Sequence, residues 1–222
     1  MQSKIIWLSH VLDEKTPAYG DGKGLEVKIE KNMECGDSCN TVNLSFSNHL
    51  GTHVDAPYHF LQEAKRLEEY EPKDWVFTNP ILIDLPLDSA EIIGIEYMNN
   101  ISDLDKEADL ILFRTGFERY RTERRYWESA PGFAPELATF LRENFRALKA
   151  IGMDTISLGS YQHRDVGVLA HQAFLGSDIR IFEDLSLANI PQGLNLEQVI
   201  ALPLRFSKAD GAPCTVIAWI SA

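Results

Sequence analysis

Apolar and polar side chains alternate without a break from residue 41 to residue 47 (Thr41, Val42, Asn43, Leu44, Ser45, Phe46, Ser47). A period of two buries one face of a strand but would scatter the same apolar groups around a helix, so this stretch predicts a half-buried β-strand. Residues 25–30 (Leu25, Glu26, Val27, Lys28, Ile29, Glu30) alternate in the same way and could pair with it. Short apolar runs at 81–85 and 110–113 read as buried strands, and residues 215–220 as a closing strand. Helical spacing is concentrated in residues 135–150, where Leu137, Phe140, Leu141, Phe145 and Leu148 recur every three or four positions. Pro135 suits the first helical position, and Glu136 suits the positive end of the helix dipole. A shorter helix is expected over 166–175, ended by Gly176. Many strands with few helices predict a β-rich α/β domain, and 222 residues suffice for one sizeable core. Residues 117–132, with Arg119, Arg121, Arg124 and Arg125 among aromatics, read as an ordered surface excursion.

Charge removes whole classes of partner. With 21 basic and 33 acidic residues the formal net charge is −12, so nucleic acid and anionic membranes would be repelled. No apolar run reaches the roughly 18 residues of a membrane span, and the N-terminal stretch is too short and mixed for a secretory signal. The three cysteines, Cys35, Cys39 and Cys214, are too few for a disulfide framework. The expectation is a soluble cytoplasmic protein with a small-molecule substrate.

The chemistry-bearing stretch follows the alternating strand. His49, His53, Asp55 and His59 fall within eleven residues, interleaved with Gly51 and Pro57. Imidazole and carboxylate are the ligand types that hold zinc, manganese or ferrous iron. If strand geometry runs on, His53 and Asp55 point to one side, while Gly51 permits a bend returning His49 towards them. Pro57 argues against a helix through the cluster. Spacing leaves a fourth ligand open, because His163, His171, Glu183, Asp165, Asp178 and Asp184 cannot be ranked by it. Other chemistries find less support. Cys35 and Cys39 lack a second cysteine pair, no Gly-x-Ser-x-Gly elbow is present, and the glycines at 20, 22 and 24 read as a turn. Tyr19, Trp75 and Trp127 are candidate pocket aromatics with no assigned role.

The run His49, Gly51, Thr52, His53, Asp55, Pro57, His59 resembles the signature of the metal-dependent cyclase/kynurenine formamidase (arylformamidase) family, whose members hydrolyse amides. The resemblance extends to Leu8-Ser9-His10 with Thr16-Pro17 and Gly20-Asp21, to Arg114-Thr115-Gly116, to Gly152-Met153-Asp154-Thr155-Ile156-Ser157, and to Ala201 through Arg205 with Gly211-Ala212-Pro213. It implies a swivelling β/β/α domain over residues 1–222, assembled as a homodimer or homotetramer. It further implies His49, His53, Asp55, His171 and Glu183 as ligands of one or two divalent ions, zinc or manganese, and His59 as the catalytic acid/base. The implied reaction is hydrolysis of a formylated aryl amine such as N-formylkynurenine. Ring opening of a cyclic amide or lactone such as isatin is the alternative within the family, and a non-catalytic metal-binding protein the more distant one. Three positions depart from the formamidase branch: Ile156 stands for its Pro, Gly159 for its Asp, and no Arg follows Pro213-Cys214.

Overall fold

The computed structural model describes residues 4–98 and 104–221. Four short strands, β6 (Pro80–Asp84), β8 (Leu110–Arg114), β10 (Ala150–Met153) and β11 (Arg180–Glu183), lie side by side in parallel. β8 and β10 are buried on both faces, as their near-continuous apolar runs require. Beyond β11 the neighbours turn antiparallel. β4 (His53–Asp55) joins β11 to β13 (Gly211–Ser221), followed by β12 (Asn195–Pro203) and β5 (Val76–Phe77). β1 (Lys4–Trp7) also pairs with β13.

Alternation along the parallel strands divides the interior in two. Ile111, Phe113, Ile151 and Ile181 pack under α2 (Glu136–Asn144) and α3 (Arg164–Gly176), with Leu137, Leu141 and Phe174. Leu110, Leu112 and Phe182 point the other way, onto Val54, Val199, Val216 and Ala218 of the antiparallel half. The layers are therefore helix, parallel strands and antiparallel strands. This is a mixed α/β single domain, rich in sheet, of the expected β/β/α kind.

Three expectations need correction. The alternating segments do form an antiparallel pair, β2 (Glu26–Lys31) with β3 (Thr41–Ser45), but neither is half-buried. Val27, Ile29, Val42 and Leu44 share one face of this ribbon and remain exposed, because no other layer among the described residues covers it. The first long helix stops at Asn144, short of 150. Phe145 leaves helical geometry, and Arg142 donates to the carbonyls of Leu148 and Ser177, holding the turn that lets Ala150 enter the sheet. Residues 117–132 are a surface excursion only in part, since Arg119 and residues 122–125 are exposed while the rest carries a buried cluster. Phe117, Tyr126, Trp127 and Ala130, two of them on the single-turn α1 (Arg125–Glu128), form a small buried cluster with Ile156, and the segment ends in β9 (Gly132–Phe133), which pairs in parallel with β7 (Ile92–Ile93). Among the described residues, no helix is long and apolar enough to cross a membrane.

Candidate metal centre

β4 is the seat of the cluster. Its register sets His53 opposite Glu183 of β11, so the two side chains share a face, and Asp55, two residues on, joins them. Gly51, at φ +71°, makes the left-handed bend ahead of the strand. α3 brings His171 in from the helical layer. In that docking Gly159 packs against Gly167, where a Cβ on Gly159 would lie 3.1 Å from the Gly167 Cα. The glycine that departs from the formamidase pattern is thus matched by a second glycine on the helix carrying His171.

The four side chains are 1–6% exposed and converge closely. His53 Nε2 lies 3.2 Å from Glu183 Oε2 and 3.5 Å from Asp55 Oδ1. His171 Nε2 lies 3.3 Å from Glu183 Oε1 and 3.8 Å from Asp55 Oδ2. Both imidazoles donate Nδ1–H to backbone carbonyls, His53 to Gly51 at 2.8 Å and His171 to Gly167 at 2.7 Å. That contact fixes the tautomer and turns each Nε2 inward, the orientation a metal-binding histidine needs. Glu183 Oε1 also accepts the Leu158 N–H at 2.7 Å.

Charge in the cluster points the same way. Burial would raise the Glu183 carboxyl, but His171 and His53 beside it hold it well below the usual carboxylate range. Burial likewise works against charging His53 and His171, yet Glu183 and Asp55 raise both. Two buried carboxylates thus demand positive charge, which protonated imidazoles supply in the protein alone. His53, Asp55 and Glu183 place ligand atoms within 4.8 Å of one another, a donor set that fits a divalent cation, and His171 Nε2 stands beside it, 3.3 Å from Glu183.

His49 and His59 stand one layer out. His49 donates Nδ1–H to Asp55 at 2.9 Å and Nε2–H to Asp210 at 3.0 Å. Despite burial, these two carboxylates raise it to about 10. His59 stacks on His49 at 4.0 Å and donates Nδ1–H to Asp210 at 2.9 Å, and among the described residues Nε2 has no hydrogen-bond partner. Burial lowers the His59 pKa even so. Asp55 belongs to two groups of ligand atoms within 4.8 Å of one another, one with His53 and Glu183, the other with His49 and His59.

Sequence reasoning missed Asp210, one carboxylate among 33 acidic residues, with nothing in its neighbourhood to mark it. It also missed the support behind Glu183. Asp184 adopts φ +53° and accepts two bonds from Arg121, at 2.8 and 2.7 Å, and one from Tyr126 Oη at 2.6 Å. The remaining candidates lie elsewhere: His163, Asp165 and Asp178 are exposed, and Trp75 is in the core. None of the cysteines belongs to the cluster, and burial pushes the Cys214 thiol up.

A cavity of about 400 Å³ opens over the cluster, and Tyr19, Phe60, Ile156, Ser160, Arg164 and Val168 contribute to its walls.

A protein-family model described as "Putative cyclase" matches residues 6–160 of the chain. The chain belongs to the cyclase family. Within that family it is 31% identical over 226 residues to "Cyclase-like protein 2" of Oryza sativa subsp. japonica, covering 96% of this chain and 78% of that one. It is 29% identical over 213 residues to the kynurenine formamidase of Geobacillus thermodenitrificans, covering 96% of each. Its fold matches isatin hydrolase A of Labrenzia aggregata, solved with benzyl benzoate, at TM-score 0.81 and 21% identity, over 99% of this chain and 94% of that one. In this chain, two of the departures from the formamidase pattern, Ile156 and Gly159, line the cavity over the acidic cluster.

Proposed function

We propose that this cyclase-family protein is a metal-dependent hydrolase that cleaves the amide C–N bond of a formylated aryl amine such as N-formylkynurenine. One observation carries the reading. His53, Asp55, His171 and Glu183 converge from three separate elements beneath an open cavity, with the free Nε2 of His59 beside them. Held by those four residues, with His49 on the outer side of Asp55 as the fifth expected ligand, a zinc or manganese ion would supply Lewis acidity and a water acidified to near neutrality. The chain's own contribution is proton handling. Asp210 orients His59 through Nδ1–H, so Nε2 can take the proton of the attacking water and return it to the leaving nitrogen. Leu158 N–H and Ser157 fix the Glu183 carboxylate against rotation. The kynurenine formamidase that covers the same length supports the substrate class.

Ring opening of a cyclic amide or lactone such as isatin is a second reading, favoured by Ile156 and Gly159 in the cavity wall. The test is turnover of N-formylkynurenine, isatin and a simple lactone by the purified protein of known metal content. Activity on the formamide, lost with chelator and restored by zinc or manganese, is expected. Undiminished activity after thorough demetallation would overturn the proposal.

We also propose that two copies associate. A two-stranded ribbon with one apolar face is marginal by itself. Here Val27 faces Leu44 and Ile29 faces Val42, all exposed, while Ile5, Trp7 and Leu202 are exposed on the outer face of β1, β13 and β12. A second copy offers a cover for each surface at once. Light scattering should give a dimer or tetramer, and the double substitution I29K with L44K a monomer. A wild-type monomer at micromolar concentration would refute it.

A further inference from the structure

Gly167 stands inside α3, where glycine is the least favourable residue after proline, so helix propensity does not account for it. Its backbone meets that of Gly159. A Cβ on Gly167 would lie 2.9 Å from the Gly159 Cα, and one on Gly159 would lie 3.1 Å from the Gly167 Cα. Neither obstacle is the end of a flexible side chain that could swing aside. A larger residue at either position must therefore displace backbone, in the first turns of α3 or in the 157–160 segment. Gly176, the last residue of the same helix, differs from this pair: a Cβ there would touch Leu61 Cδ1 at 3.8 Å, an ordinary contact.

The glycine contact closes a ring that runs through two candidate ligands. Gly159 N–H donates to Ser157 Oγ at 3.2 Å, and Ser157 Oγ–H donates to Glu183 Oε1 at 3.3 Å. Leu158 N–H donates to the same carboxylate oxygen at 2.7 Å. On the other side, the Gly167 carbonyl accepts His171 Nδ1–H at 2.7 Å, and His171 Nε2 reaches back to within 3.3 Å of Glu183 Oε1. The 157–159 segment thus holds the carboxylate and α3 holds the imidazole, with two glycine backbones spacing them. Further along α3, Phe174 and Leu175 are anchored in the core of the helical layer. A wider gap between 159 and 167 would tilt the helix about that anchor and draw His171 away from Glu183.

We infer that Gly159 and Gly167 are positioning residues whose backbone contact sets the gap between His171 and Glu183, and with it the affinity of the centre for its ion and its preference among ions. The inference rests on the metal-centre reading above and deepens it. Drawing His171 away subtracts a nitrogen donor and leaves the carboxylates of Asp55 and Glu183 beside His53. Imidazole nitrogen suits zinc, whereas manganese accepts carboxylate and water oxygen in its place. A side chain at 159 or 167 therefore weakens zinc more than manganese. Contacts that orient a metal ligand from behind are typically worth 10–100-fold in affinity.

The test titrates zinc and manganese into the demetallated full chain in competition with a chromophoric chelator, for wild type, G159A, G167A and G176A. Zinc affinity should fall about 10–100-fold in G167A, by less in G159A, where the clash is milder, and not in G176A. Manganese affinity should fall by a smaller factor in the first two. A double-mutant cycle separates positioning from general loosening of the fold. H171A should itself weaken zinc, and G167A added to H171A should weaken it no further, since Gly167 acts through that imidazole. Should G167A fail to fold, the gentler G159A keeps the prediction open to refutation. Wild-type zinc affinity in G159A and G167A, an equal loss in G176A, an equal loss for both ions, or a G167A loss that adds to that of H171A would overturn the inference while leaving the metal centre intact. If folded wild type binds neither ion, the metal-centre reading fails and the inference falls with it.

Discussion

His53 and Glu183, separated by 130 positions in the chain, face each other across the β4–β11 ladder with Nε2 and Oε2 3.2 Å apart. Backbone register therefore sets the distance between two candidate ligands before any ion arrives. His53→Ala should abolish metal binding and activity together. His59→Asn should keep most of the metal and lose rate by roughly 10²–10⁴-fold, the usual worth of acid/base catalysis. Metal content by mass spectrometry beside kcat separates the two, and comparable metal loss in both variants would contradict the division of roles.

Metal removal should lower stability as well as activity. An ion bound only by the folded state contributes RT ln(1 + [L]/Kd), about 4 kcal/mol at a thousandfold excess over Kd. Melting temperature should rise with zinc or manganese in wild type. In E183Q the rise should shrink, because one of the two buried carboxylates is gone. An unchanged metal-dependent rise in E183Q would exclude Glu183 from the centre.

Asp210 holds the orientation of His59 and bonds His49 at the same time. Second-layer partners of this kind are typically worth 10–100-fold. D210N should lower kcat by about that factor with little change in metal content. Loss of bound metal instead would make Asp210 a ligand and remove its positioning role.

The strands were legible because the period of the side chains is local information. So was the histidine cluster, whose members lie within one loop and strand. His171 and Glu183 were singled out only by family resemblance, since spacing ranked them no higher than Asp184 or His163. Asp210 and the Arg121–Asp184 pair depend on distant segments meeting, which no local pattern encodes. The exposed ribbon misled for a related reason: alternation reports a face to be buried but does not say by what. In 135–150, helical periodicity continued through Leu148 although the chain had to turn early to enter the sheet.

Behind the centre, Arg121 and Asp184 form a bidentate pair with Tyr126 Oη as third partner. Asp184 is almost fully buried, so removing the guanidinium strands its charge. Arg121→Met should destabilise the fold by about 3 kcal/mol. Tyr126→Phe, which removes one bond to a charged group, should cost about 1.5 kcal/mol. Urea unfolding midpoints test both, and an unchanged midpoint for Arg121→Met would mean that the pair contributes nothing net.

His10 gives the fold a pH dependence whose sign can be derived. Burial lowers its pKa below 6.5, against the pull of Asp184 and of Glu118, whose Oε1 lies 3.4 Å from Nε2. In the unfolded chain this imidazole takes a proton near pH 6.5, whereas in the folded protein it stays neutral to lower pH. The unfolded state thus binds more protons through that window, and the His10 contribution falls as pH drops below 6.5. His49, His53 and His171, whose pKa values are raised, act in the opposite direction, so total stability does not isolate the effect. The difference between wild type and His10→Gln does. Measured by urea unfolding, wild type should lose stability relative to the variant on going from pH 7.5 to 5.5. A constant difference, or one that shifts in favour of wild type at low pH, would show that His10 is protonated in the folded state.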